Sequence, residues 1–222
     1  MKKKELDFNQ NEGQIGNVKG KTIGIDLGTT CCYAAHINAE GKIEVIRNAE
    51  GELATPSVVG FPDGITPVVG KKALNQSLLC PVFIARSKRS MGKVGPDGKP
   101  LEIWRDKNGK EHSAIDIAAL ILKKIKTDCE AILGMEIPNA IISVPHYFSE
   151  AQRKATEQAG IIAGFNVLRI VSEPVCASLA YHLQIPSHKN HLVVDYGGGT
   201  TESTLIRKQG DDLYVIDSQG DT

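Results

Sequence analysis

Two segments near opposite ends of the 222-residue chain rhyme: TIGIDLGTTCCYAAHI at 22–37 and HLVVDYGGGTTESTLI at 191–206. Each runs as an apolar strand, ends on Asp, passes one residue, turns through glycine and threonine, and returns as a second strand. The pattern predicts two β-hairpins on one plan, an internal duplication of a single unit. Whatever lies between them must bring these turns into a common architecture.

The middle of the chain supplies that scaffold. AIISVP, the helical stretch SEAQRKATEQAGIIAG and NVLRIV form a strand–helix–strand unit. A crossover of that length makes two parallel strands, with helices covering the sheet. Before it, Ser113 with Asp116 three residues on opens a helix whose apolar face is Ile117, Ile121, Ile125, Cys129 and Ile132, closed by Gly134. Ser149 and Gln152 repeat the capping spacing, and Pro174 sits in the first turn of a third helix, PVCASLAYHL. KIEVI reads as a third strand after the first hairpin, and DLYVIDS as a third after the second. A short helix is expected over Lys71–Leu79, after a loop-rich stretch with Pro56, Pro62 and Pro67. GPDGKP and DKNGKE flank LEIW in a small β excursion between Lys88 and His112.

Composition narrows the function. Lys and Arg number 26 against 26 Asp and Glu, so no global field steers the chain onto nucleic acid or an anionic membrane. No apolar run approaches the roughly 20 residues that span a bilayer. Residues 1–20 are polar throughout and read as a disordered tail without the apolar segment of a signal peptide. Cys31, Cys32, Cys80, Cys129 and Cys176 include no CxxC pair and read as buried reduced thiols of a cytoplasmic protein. Adjacent Cys31 and Cys32 point to opposite faces of a strand. His182, His188 and His191 lack ligand spacing and read as surface residues.

The paired turns suit a polyphosphate. Glycine lets backbone N–H groups approach an anion and takes positive φ where needed, and Thr29, Thr30, Thr200 and Thr201 bring hydroxyls to the same place. Asp26 and Asp195, each ending a strand, can hold the water shell of Mg²⁺. Taken singly, either turn could be a plain tight hairpin; two copies on apolar strands favour a clamp. No GKS or GKT makes a Walker A loop, and no GxGxxG runs into a helix.

GIDLGTT resembles the wider actin, sugar-kinase and chaperone superfamily. ISVPHYFSEAQRKAT, AGFNVLRIVSEP, CASLAY and VVDYGGGT resemble the 70-kDa heat-shock chaperones more specifically, and the likeness covers roughly Lys21 to Thr222. It implies an α/β, actin-like (ribonuclease-H-like) ATPase fold: a first lobe over 21–189, with a shortened inserted subdomain at about 47–112, and the incomplete opening of a second lobe over 190–222. It implies ATP or ADP with Mg²⁺, with K⁺ as a second candidate ion. Asp26, Asp195 and Glu202 match metal-shell positions. Gly28, Thr29, Thr30, Gly197, Gly198, Gly199, Thr200 and Thr201 match the phosphate loops. Lys88 matches the lysine that orients the attacking water, with Arg86 and Arg89 as neighbouring candidates, and Glu173 a glutamate beside the metal. Asp26, Lys88, Glu173, Asp195 and Thr200 are thus the expected catalytic set. Pro145 and Arg153 match relay positions, and Arg169 a docking position for J-domain co-chaperones. A nucleotide-exchange factor and unfolded clients complete the implied partners; nucleic acid and membrane are not among them.

Four departures qualify the resemblance. Glu202 stands where Asp is usual, Ser172 and Val175 replace Asn and Thr around Glu173–Pro174, the Lys88–Ser113 excursion is short, and the sequence ends at GDT. The implied activity is ATP-driven chaperoning by the complete protein. The 222-residue piece is expected to bind nucleotide weakly and turn it over negligibly. A specialised chaperone for iron–sulfur cluster assembly, a sugar kinase or an actin-like protein are the alternative readings.

Overall fold

The computed structural model describes residues 19–181, 189–210 and 212–221. The expected tail, except Lys19 and Gly20, lies outside the described residues, as do His182 and His188.

Strand β1 (Thr22–Asp26) is the hinge of the largest sheet. It pairs in parallel with β10 (Asn139–Val144), which pairs in parallel with β11 (Asn166–Ser172). On its other side β1 pairs antiparallel with β2 (Cys31–Ile37), which continues to β3 (Ile43–Ile46). The sheet order is thus β11-β10-β1-β2-β3, with the short β4 (Thr55–Pro56) also on β2. The parallel half is the expected strand–helix–strand unit and the antiparallel half the first hairpin. Strand β10 is buried along nearly its whole length, which explains its lack of polar–apolar alternation.

Helix α2 (Ala114–Leu133) and helix α3 (Glu150–Ile162) pack on each other, and α3 packs on β10 and β11. Both begin with complete capping boxes, Ser113 with Asp116 and Ser149 with Gln152. Gly134 closes α2 at φ 64°. Ile117, Ile121, Ile125 and Cys129 are buried as expected; Ile132, in the last turn, is 54% exposed, and Leu133 packs on the core in its place.

The stretch from Val58 to Ser113 holds more strand than its prolines suggest. β5 (Val58–Phe61) pairs with β6 (Val68–Val69) and β7 (Val82–Ala85). Helix α1 spans only Lys71–Asn75, short of the expected Leu79. β8 (Ile103–Arg105) and β9 (Glu111–Ser113) pair antiparallel within the expected small β excursion.

The second hairpin forms its own sheet of β12 (Asn190–Tyr196), β13 (Thr201–Gln209) and β14 (Asp212–Asp221). Its inner face packs near helix α4 (Glu173–Ala180) around a small cluster of Val175, Ile206 and Leu213. Its outer face carries Leu192, Val194, Tyr196 and Ile216, 46–85% exposed. His191, expected on the surface, is half-buried, and its Nε2 lies 3.0 Å from the Ser178 hydroxyl. Cys32 and Cys129 are buried free thiols, whereas Cys31, Cys80 and Cys176 are only partly covered.

Two outcomes follow from this packing. Ser149→Ala removes an acceptor for the Gln152 N–H and should cost about 1 kcal/mol, read as a lower urea midpoint. The open apolar face of β12–β14 should make the chain self-associate in sedimentation velocity as concentration rises, and Val194→Lys should reduce this.

Candidate functional site

The turn after β1 and the turn after β12 lie in direct contact. A methyl group placed on Gly198 would overlap the Thr30 hydroxyl, and one on Gly199 would overlap the Thr29 side chain. Within the first turn, a methyl on Gly28 would run into the Cys31 carbonyl. None of Gly28, Gly197, Gly198 or Gly199 has positive φ, so close approach, not left-handed backbone, requires glycine here. That corrects part of the expected reason for these residues. The second turn is closed by the Gly197 N–H donating to the Thr200 carbonyl at 2.9 Å. Thr201 then starts β13 opposite Tyr196. Thr29 is buried, and its hydroxyl has no hydrogen-bond partner among the described residues. An orphaned buried hydroxyl of this kind is costly unless a ligand or water engages it.

Lys88 is the largest surprise relative to its local sequence. A Lys–Arg pair in a polar stretch ordinarily faces water, yet Lys88 is only 7% exposed. Arg86 precedes it with φ 60°, the one non-glycine left-handed residue among those described, and a 3-10 turn at Ser87–Ser90 follows. This kink costs about 1 kcal/mol, and the turn it precedes carries Lys88 inward. The Lys88 ammonium donates to Glu173 Oε1 at 2.8 Å and lies 5.7 Å from the Phe148 ring centroid. Neither Arg86 nor Arg89 makes that contact; Lys88 does.

Asp26 reaches solvent at the end of β1 but is ringed by protein. Burial raises its pKa, Lys88 opposes the rise, Asp195 adds to it, and a Ser143 hydroxyl 3.4 Å away lowers it slightly. Glu173 is likewise raised by burial, against the pull of Lys88 and with repulsion from Asp26 and Asp195. The structure therefore brings Asp26, Lys88, Glu173 and Asp195 within electrostatic reach of one another. Among the described residues, no three His, Cys, Asp or Glu side chains converge to hold a metal directly. The donors suit a cation carried through water or phosphate oxygens.

Glu202 pairs across the hairpin with Asp195 but is turned to a different task. It is 2% exposed, and both carboxylate oxygens accept from the His146 N–H at 3.1 Å. Oε1 also accepts from the hydroxyls of Ser218, at 2.7 Å, and Thr204, at 3.2 Å. The loop it grips begins at Pro145, whose carbonyl accepts from the Phe148 N–H. Arg153 is no ordinary exposed helix charge: it donates to the carbonyls of His146 and Phe148. Arg169 is half-buried on the edge strand β11, away from these contacts, and paired with Ile141. Tyr147 packs against Gly220 of β14, and burial with four nearby carboxylates pushes its phenol up to about 12.

Sequence reasoning did not find His146, Ser143, Thr204, Ser218 or Tyr147. These residues lie in a loop and on strands without periodic signal, and only the folded register brings them together.

A family profile described as Hsp70 protein matches residues 22–222. The chain belongs to the Hsp70 family. A chaperone protein DnaK of Thermotoga maritima is 44% identical over 199 residues, covering 89% of this chain and 32% of that relative. A chaperone protein dnaK1 of Nostoc is 42% identical over 221 residues, covering 91% of this chain and 32% of that relative. The chain thus spans about a third of the length of the curated relatives it matches. Its fold is the α/β actin-like ATPase fold of the Hsp70 family, and no described helix is long and apolar enough to cross a membrane.

The raised carboxyls predict a pH dependence. A carboxyl whose folded pKa lies above its unfolded value contributes stability fully below the unfolded value, and that contribution is lost as pH rises through the folded one. Ligand-free Asp26→Asn should therefore melt higher than the parent at pH 7. The gain should vanish as pH falls below 3.8, the ordinary value for Asp26. Thermal unfolding between pH 3.5 and about 7.5 checks this.

Proposed function

We propose that this chain clamps the phosphates of ATP for an ATP-dependent molecular chaperone, in which hydrolysis governs the binding and release of unfolded clients. The observation that carries the reading is the contact of two sequence-related glycine–threonine turns beside a buried Lys88–Glu173 pair. A purely structural hairpin contact would not leave the Thr29 hydroxyl unsatisfied, nor draw a lysine into an acidic surround.

The residues present fit the nucleotide. Backbone N–H groups at Gly28, Gly197, Gly198 and Gly199, with the hydroxyls of Thr29, Thr30, Thr200 and Thr201, would hold phosphate oxygens from both sides. Asp26 and Asp195 would hold Mg²⁺ through water, with K⁺ as a second candidate ion. Bound metal supplies positive charge that offsets negative charge developing on the phosphoryl oxygens. Lys88, held at Nζ by Glu173, orients the attacking water and keeps its charge at the reacting group. With its oxygens committed to His146, Thr204 and Ser218, Glu202 serves as a brace between β13 and the Pro145 loop in place of the metal-shell role its sequence position suggested.

The same loop supports a relay. Arg153 and Pro145 flank the segment that Glu202 grips, so a shift of the second hairpin would be felt by the first lobe. We assign Arg169, on the edge strand, to the docking of a J-domain co-chaperone; a nucleotide-exchange factor would complete the cycle, and the cytoplasm is the compartment that suits reduced thiols.

Isothermal calorimetry of the 222-residue chain should show weak but measurable Mg–ATP binding. Gly199→Ala places a methyl against Thr29 and should weaken that binding about tenfold or more, the scale of a misplacement near 1 Å. Steady-state phosphate release should be negligible beside that of a full-length relative.

A further inference from the structure

We propose that His146 is a positioning residue for the Lys88–Glu173 pair, acting through the hydroxyl of Ser172. The proposal rests on the reading of that pair as phosphate-facing apparatus. Ser172 ends β11 and stands at the N-cap of α4, immediately before Glu173. A serine there ordinarily turns its hydroxyl onto the backbone N–H groups of the first helical turn. Ser172 makes no such bond. Its buried hydroxyl lies 3.1 Å from His146 Nδ1 instead.

His146 is in no position to adapt. Its N–H is shared by both oxygens of Glu202 at 3.1 Å, and its carbonyl accepts from the Arg153 guanidinium at 3.1 Å. With both ends of its backbone gripped, the imidazole springs from a held base and meets the Ser172 hydroxyl there. The direction in which the chain leaves β11 is thereby set, and with it the place of the Glu173 carboxylate that holds Lys88 at 2.8 Å. One unbroken line of bonds runs from β13 through Glu202, His146 and Ser172 to Glu173 and Lys88. If the imidazole–hydroxyl bond merely satisfied a buried hydroxyl and a half-buried imidazole, breaking it would cost stability and leave Lys88 as it was.

The ammonium protons of a lysine exchange slowly with water only while its ion pair is held. Nuclear magnetic resonance of the ligand-free 222-residue chain therefore reads the pair directly, with no dependence on turnover. Ser172→Ala and His146→Ala should each speed Lys88 ammonium exchange about fivefold, the effect of one lost hydrogen bond, and the double variant should do no more than either. Ser172→Thr and His146→Asn, which keep a hydroxyl and a polar atom near the Nδ1 position, should stay near the parent rate. Should His146→Ala fail to fold, Ser172→Ala, which deletes one oxygen, carries the test alone. Unchanged exchange in Ser172→Ala overturns the proposal, as does a parent signal too fast to observe. Titration with Mg²⁺ and inorganic tripolyphosphate separates the two readings. Absence of tripolyphosphate binding, with exchange still responding, removes the phosphate reading and leaves the link from His146 to the pair. Binding, with exchange indifferent to Ser172→Ala, removes the link and leaves the phosphate reading.

Discussion

A lysine ammonium that is 7% exposed has to be paired, and the Lys88–Glu173 bond is the constraint on which the site's geometry turns. Removing a charge from water costs several kcal/mol, recovered only if the partner is well placed. Its two ends come from distant parts of the chain. Lys88 is delivered by a left-handed Arg86 and a tight turn; Glu173 is delivered by the junction of β11 and α4. Because β11 is held in register by β10, and β10 by β1, the pair is surveyed to the same frame that carries the Asp26 turn.

The second hairpin is held differently. Its apolar cluster of Val175, Ile206 and Leu213 is small beside the core formed around β1 and β10. Its attachment near the site is mainly polar: Glu202 to the His146 N–H, and the glycine contacts of its turn with Thr29 and Thr30. Those bonds are few, but the Glu202 carboxylate is almost wholly buried, so breaking them would leave its oxygens without water to replace the lost donors.

Much of this was legible in advance, and the reasons are local. Capping boxes at Ser113 and Ser149, the stop at Gly134 and the strand–helix–strand spacing are dictated by neighbouring residues, and all appear as read. The rhyme of the two hairpins pointed to their facing turns, though not to the reason for glycine there. What was not legible depends on distant pairing. Lys88 reads as a solvated loop charge until the fold closes over it. Short strands β5 and β6 hide among prolines because so few residues show no period. His146 lies inside ISVPHYFSEAQRKAT, yet nothing in that segment marks it; its contacts arise only when β13 passes beside the Pro145 loop.

Glu202 shows how a single methylene can change a residue's neighbours without removing its usefulness. By resemblance this position matches a metal-shell site, with Glu in place of the usual Asp. In the fold its added reach coincides with three donors, the His146 N–H and the hydroxyls of Thr204 and Ser218, which together satisfy a carboxylate that is almost wholly buried. A buried carboxylate so engaged is expensive to move, because each bond must be broken without water to replace it. Of the carboxylates at the two turns, Asp26 and Asp195 are the ones that keep access to solvent, one from each rhyming turn. The duplication visible in the sequence thus keeps its symmetry at Asp26 and Asp195 and loses it directly across the hairpin, where Tyr33 faces Asp26 but Glu202 faces Asp195 and has become the tether between the two halves.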